Sequence, residues 1–282
     1  MKRRDESKRL DDQERTVPSR SNVISADAFD AVVMELDGVL TNTVRLHYES
    51  WKETFDTLLR TREGRNFIPF DRQEFREHVD GKIRRDAIET WLSSRRITLP
   101  LGQPLPEADE ALAHDTDTIY GLEKLKQTAF DKHIESGHLQ VDDDAEQLVH
   151  RLVQAGIKVG VVSPSHRTER VLSILDLVGL FDTIVDASTY EREGLTGKPS
   201  DDIFREAVTR LGVTRDRTAI IEDDRPAIEA GRGAGFGLII VVADGGEGPS
   251  ERKKFLARGA DMVVDGLDTI TVKGSDGRVV RQ

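Results

Sequence analysis

The stretch Ala31-Val32-Val33-Met34-Glu35-Leu36-Asp37-Gly38-Val39-Leu40-Thr41-Asn42-Thr43 decides how this chain is built. Its first four residues form an apolar run, too short for a helix and typical of a buried strand. With a side-chain period of two, Glu35 and Asp37 leave that strand on the same face, close together. Two neighbouring carboxylates repel unless a cation or a proton stands between them. Gly38 permits the backbone turn that follows. Taken alone, a strand capped by a polar turn explains the stretch equally well.

Downstream of this strand the pattern changes. Trp51, Phe55, Leu58 and Leu59 recur at helical spacing, and so do Phe75, Ile88, Trp91 and Leu92. No clear β-branched run interrupts residues 43–140, and Pro100, Pro104 and Pro106 mark a loop. The segment reads as a helical insert. Beyond residue 141 strands and helices alternate. Ala145, Leu148, Val149 and Leu152 share one helical face, with Gly156 placed as a C-terminal cap. Strands are predicted at 157–162, 181–185, 219–222, 238–242 and 262–264, with helices over 169–177 and 201–211. Such alternation predicts a parallel sheet with helices on both faces. Ligands of such sheets bind at the carboxyl ends of the strands. The expected organisation is therefore α/β: a Rossmann-like core at 27–42 and 141–270, with a helical cap at 43–140. Residues 1–26 are expected as a solvated, disordered tail and 271–282 as a frayed one.

Composition narrows the function. The chain has 282 residues, no cysteine and a net charge of −11. The negative balance repels phosphate backbones and argues against a nucleic-acid partner. Without cysteine there is no disulfide and no thiolate chemistry. No stretch approaches the roughly 20 apolar residues of a membrane-spanning helix. The mixed-charge N-terminus lacks the apolar segment of a secretory signal. A cytoplasmic protein is expected.

Four clusters fall at the carboxyl ends of the predicted strands. Glu35 and Asp37 are the first. Ser163-Pro164-Ser165-His166-Arg167 follows the 157–162 strand, where hydroxyls and amides at a helix start suit an anion. Gly197-Lys198-Pro199-Ser200 brings a lysine to another helix start. Glu222-Asp223-Asp224 closes a fourth strand, and its hard oxygens suit Mg²⁺. A simple N-cap, a solvated lysine and a solvated acidic loop are the plainer readings of the last three. A serine hydrolase is excluded because Ser163 lacks the Gly-x-Ser-x-Gly elbow. Zinc is disfavoured because His133 and His138 have the wrong spacing for a helical pair. The run Gly231–Gly237 leads from a helix into a strand, the reverse of a dinucleotide loop.

The order Asp-x-Asp-Gly-Val (with Glu in the first place), Ser, Lys-Pro, Glu-Asp resembles the haloacid dehalogenase superfamily of phosphotransferases. The resemblance runs from about residue 28 to 268 and is to its β-phosphoglucomutase-like branch. Within that branch it looks nearest to bacterial proteins of trehalose or maltose metabolism, including trehalose-phosphate phosphatase-like domains. The resemblance implies Asp37 as general acid/base, Ser163 and Lys198 on the transferring phosphoryl group, and Mg²⁺ at Glu35, Asp37, Glu222 and Asp223. It implies His47, Trp51, Arg84 and Lys126 of the cap against a sugar phosphate, with Ser165 and His166 as further phosphate contacts. His166, where relatives carry Arg or Lys, is expected to make phosphate affinity pH-sensitive.

One position departs from the pattern. The family nucleophile is an aspartate two residues before the acid/base, and here it is Glu35. The resemblance implies a sugar-phosphate phosphatase or phosphomutase, impaired by the longer side chain; the alternative is a catalytically silent sugar-phosphate-binding protein.

Overall fold

The computed structural model describes residues 22–104, 116–243 and 249–281. Pro106 and residues 1–21 of the expected N-terminal tail lie outside them. The chain enters through a short strand, β1 (Val23–Ser25), and then β2 (Ala31–Glu35), whose five residues are all buried. The helical segment follows: α1 (Thr43–Glu63), α2 (Arg72–Glu74) running into a π turn at Phe75–Val79, α3 (Arg84–Ser94) and α4 (Ile119–Glu135). The alternating part comprises α5 (Asp143–Gln154), β3 (Lys158–Val162), α6 (Thr168–Ile174), β4 (Thr183–Val185), α7 (Ala187–Glu193) and α8 (Asp202–Leu211). It continues with β5 (Thr218–Glu222), α9 (Arg225–Ala234), β6 (Leu238–Val242), α10 (Pro249–Arg258), β7 (Met262–Val264) and β8 (Thr271–Lys273).

Six strands form one parallel sheet in the order β4-β3-β2-β5-β6-β7. Strand β2 lies at its centre, which is why its first four residues, Ala31 to Met34, are continuously apolar instead of alternating. Both faces are covered. Val32 and Met34 pack into one apolar layer, Ala31 and Val33 into the other, as the period of two requires. The chain leaves β2 toward β3 on one side and joins β5 on the other, so the winding reverses here. Such a reversal opens a crevice at the strands' carboxyl ends, and that is where Glu35 and Asp37 emerge.

The helical segment has an apolar cluster of its own. Trp51, Phe55, Phe70, Phe75, Ile88 and Trp91 are buried together, with Phe55 stacked on Trp91 at a centroid distance of 3.7 Å. Two linkers tie it to the sheet domain, and Asn42 cross-links them. Its side chain donates to the His138 carbonyl at 3.1 Å and accepts from the Gln140 amide at 3.0 Å.

Both chain ends depart from the tails expected from sequence. Strands β1 and β8 pair in parallel, with Val23 opposite Thr271 and Ser25 opposite Lys273. Ile24 and Val272 are each 0% exposed. The apolar alternation in these two segments is only three residues long, and neither buries anything without the other. No helix among the described residues is long and apolar enough to cross a membrane.

Candidate active site

Lys198 is the hub of the crevice. Its Nζ lies 2.8 Å from Glu35 Oε2, 2.8 Å from Glu222 Oε1 and 2.8 Å from Asp224 Oδ2. The side chain is 1% exposed. An ammonium buried this far is stable only when paired, and three carboxylates hold it charged, well above the usual lysine range despite the burial. Glu35 Oε1 folds back to accept from the amides of Leu36 at 2.9 Å and Asp37 at 3.4 Å. Both oxygens of this carboxylate are therefore engaged by the protein itself.

Asp37 turns the other way. Its Oδ2 accepts from Ser163 Oγ at 2.9 Å, and its Oδ1 accepts from the Thr43 hydroxyl and stands 3.3 Å from His47 Nε2. Burial alone would raise its pKa; the imidazole and the two hydroxyls overcome that and hold it well below the usual carboxylate range. Behind His47, Lys126 Nζ is 2.8 Å from Nδ1. Burial, with Arg84 nearby, pushes this lysine well below the usual range. With Nζ donating, Nδ1 accepts and the proton on Nε2 faces Asp37.

The carboxylates on the other side are under strain of charge. Burial first, then mutual repulsion, pushes Glu35 up to about 7, and Glu222 and Asp223 well above the ordinary value. Ligand atoms of Glu35, Glu222 and Asp224 lie within 4.8 Å of one another. Glu222 Oε2 is buried without any partner. Lys198 already supplies a positive charge to these three carboxylates. The unpartnered Glu222 Oε2 and the Asp223 carboxyl, pushed well above the ordinary value, remain as hard oxygens beside Glu35 that suit a divalent cation, so the residues present fit Mg²⁺. The raised Glu35 pKa has a consequence for stability. Its ionised form is disfavoured in the fold, so the native state loses stability as pH rises from about 4.5 to about 7. Glu35→Gln removes this contribution. In metal-free buffer, the melting temperature of Glu35→Gln minus that of wild type is expected to climb across this window and level off above it. A flat difference would show that Glu35 titrates normally.

The cap closes over this wall. Glu35, Asp37, His47, Trp51, Arg84, Lys126, Ser165, Asp223 and Asp224 line one cavity, joined by Asp80, Gly81 and Lys82 from the loop before α3. About 60 Å³ of free space remains, room for a few water molecules. Arg84 is buried deep enough to lower its pKa to about 10, donates to Gln127, and leaves its Nε without a partner.

Gly38 makes the corner possible. Its φ is +83°, and a Cβ there would lie 2.2 Å from Asp223 Oδ2. Gly38→Ala is expected to cost about 1–2 kcal/mol for the left-handed backbone alone, measured by denaturant unfolding. It should also displace Asp223 from the corner.

Of the residues picked out in the sequence, Ser163, Lys198 and Glu222 stand behind the wall: Ser163 bonds Asp37, Lys198 bonds Glu35 and Asp224, and Glu222 bonds Lys198. His166 does not line the cavity. Burial and the nearby cations, Arg84 first among them, push it down to about 4. Its Nε2 stands 3.4 Å from Glu191 Oε1. The sequence reading missed Thr43, Asp80 and the role of Asp224. Asp224 had a signal: it caps α9, its Oδ1 accepting from the Ala227 amide at 2.7 Å, with Pro226 in the first turn.

A doubly wound sheet with a helical cap and a carboxylate–lysine corner at its switch point defines a class of phosphate-handling α/β proteins. The chain belongs to the haloacid dehalogenase-like hydrolase family, whose profile matches residues 29–235, and to its β-phosphoglucomutase-like branch. A β-phosphoglucomutase of Mycobacterium bovis is 36% identical over 241 residues, 84% of this chain and 89% of that one. The crystal structure of β-phosphoglucomutase from Clostridium difficile superposes with a TM-score of 0.65 at 23% identity, covering 86% of this chain and 93% of that one. Similarity to the trehalose-phosphate phosphatase of Mycobacterium avium is 42% but spans 74 residues, 26% of this chain and 18% of that protein. The trehalose likeness is thus partial.

Proposed function

We propose that this protein is a Mg²⁺-dependent phosphotransferase acting on a sugar phosphate, as a phosphatase or as a mutase of the β-phosphoglucomutase type. The observation that carries this reading is the charge layout of one cavity. Glu35, Asp37, Asp223 and Asp224 stand on the core wall, while Arg84 and Lys126 stand on the cap wall, bonded to Gln127 and His47 and, among the described residues, to no carboxylate, with Asp80 and Lys82 beside them. A phosphoryl group fits the first wall once a divalent cation screens it, and the sugar or a second anionic group fits the second.

In this reading a Glu35 oxygen attacks phosphorus and the bond from phosphorus to the sugar oxygen breaks, leaving an acyl phosphate. The departing oxygen takes a proton from Asp37; the water or hydroxyl that later attacks the acyl phosphate returns one. Asp37 is ionised in the closed pocket; a phosphoryl dianion brought beside it raises its proton affinity, and it takes up from water the proton it then gives to the departing oxygen. His47 and Lys126 orient that carboxylate. Ser163 fixes it from the opposite side. Mg²⁺, held by Glu35, Glu222 and Asp223, would neutralise the corner and polarise phosphoryl oxygens. The closing cap excludes water, which a mutase needs more than a phosphatase does.

The engagement of both Glu35 oxygens favours a second reading, a protein that binds a sugar phosphate without turning it over. Phosphate release from a panel of hexose and disaccharide phosphates, with and without Mg²⁺, separates the two. Mg²⁺-dependent release is the expected result. Binding without release would establish the second reading, and neither binding nor release for any of the panel would end both.

A further inference from the structure

Lys198 has three N–H donors, and three carboxylates take them. None is left for a phosphoryl oxygen. Any contact between Lys198 and substrate therefore requires one carboxylate to let go. Glu35 and Glu222 are 4% and 0% exposed, while Asp224 is 16% exposed. Like Glu35, Asp224 keeps another anchor, since its Oδ1 stays on the Ala227 amide when Oδ2 releases the ammonium, so its greater exposure is what marks it as the carboxylate that lets go. It stands at the seam with the cap as well: a Cβ on Gly81 would lie 2.8 Å from that same Oδ2.

The geometry points to Asp224 as a positioning residue that holds Lys198 back in the empty, closed pocket and yields it to an incoming phosphoryl group. This inference rests on the reading of the corner as a phosphoryl site. Asp224 competes with the ligand for one charge-assisted hydrogen bond, so its presence lowers phosphate affinity. It also makes Lys198 selective, because a dianionic phosphoryl group displaces a carboxylate from the ammonium far better than a neutral sugar does.

The test is binding of inorganic phosphate to the full chain in the presence of Mg²⁺, by calorimetry. Asp224→Asn and Asp224→Ser both retain a good N-cap for α9 while removing the charge, and serine also removes the reach to Lys198. Each is expected to bind phosphate about tenfold tighter than wild type, the worth of about one charge-assisted hydrogen bond. Asp80→Asn deletes a cavity carboxylate for which no hydrogen bond to Lys198 is found, and should change affinity less than about threefold. Unchanged or weaker binding by the Asp224 variants would overturn the inference and leave the phosphoryl-site reading standing. An equal gain in Asp80→Asn would overturn it too, because loss of charge alone would then suffice. Absence of phosphate binding in every protein would overturn both.

Discussion

Glu35→Asp is expected to raise Mg²⁺-dependent phosphate release by about 10²-fold, the penalty typical of a misplacement of about 1 Å in a reacting group, or about 2.7 kcal/mol of barrier. Glutamate reaches farther than aspartate by one methylene, on the order of 1.5 Å. That extra length is what lets Oε1 curl back onto the Leu36 and Asp37 amides while Oε2 stays on Lys198. A shorter side chain on the same strand end cannot make both contacts. Its carboxylate would face the cavity, and the two amides would be free to receive a phosphoryl oxygen. Single-turnover phosphate release on the best substrate of the panel is the measurement, with Glu35→Gln alongside. Glutamine keeps the shape but not the nucleophile, and no phosphoryl-enzyme should form on it. If aspartate proves slower than the natural residue, the surrounding backbone is adapted to glutamate and the protein is a working enzyme as it stands.

The core was legible in the sequence because a strand at the centre of a parallel sheet has little freedom. Ala31–Met34 must be apolar on both faces, and the residues after it must enter the crevice. The strands at Thr218–Glu222 and Leu238–Val242 were readable for the same reason. Strands β1 and β8 were not, since three-residue segments acquire their meaning from each other across the whole chain. The site was half legible. Glu35, Asp37, Lys198 and Glu222 announced themselves as charge at strand ends or a helix start. What the sequence withheld was partnership. Asp223 and Asp224 are adjacent and chemically alike, yet a helix start turns Asp224 toward Lys198 and Ala227 while Asp223 packs against Gly38. His166 shows the same limit: its sequence neighbours do not reveal the burial and the Arg84 cation that push its pKa down.

Lys198→Met should cost about 3–5 kcal/mol of stability at pH 8, the usual result of removing one partner of a buried ionic cluster. Methionine fills much the same volume, so the loss is electrostatic. It strands Glu35, Glu222 and Asp224 around an uncharged side chain, with their oxygens still within 4.8 Å of each other. Two remedies exist, and each is diagnostic. Protons are the first: in the variant the carboxylates bind protons more tightly still when folded, so the deficit should shrink as pH falls from 8 toward about 5. Divalent cation is the second. At 100 times its dissociation constant Mg²⁺ adds about 2.7 kcal/mol to any state that binds it, and it should rescue the variant more than it stabilises wild type, where the ammonium already supplies part of the charge. Urea unfolding at pH 5 and pH 8, with Mg²⁺ and with chelator, reads all four conditions. A variant as stable as wild type at pH 8 and indifferent to Mg²⁺ would mean that water reaches these carboxylates. In that case neither the cation corner nor the hold of Asp224 on Lys198 could stand.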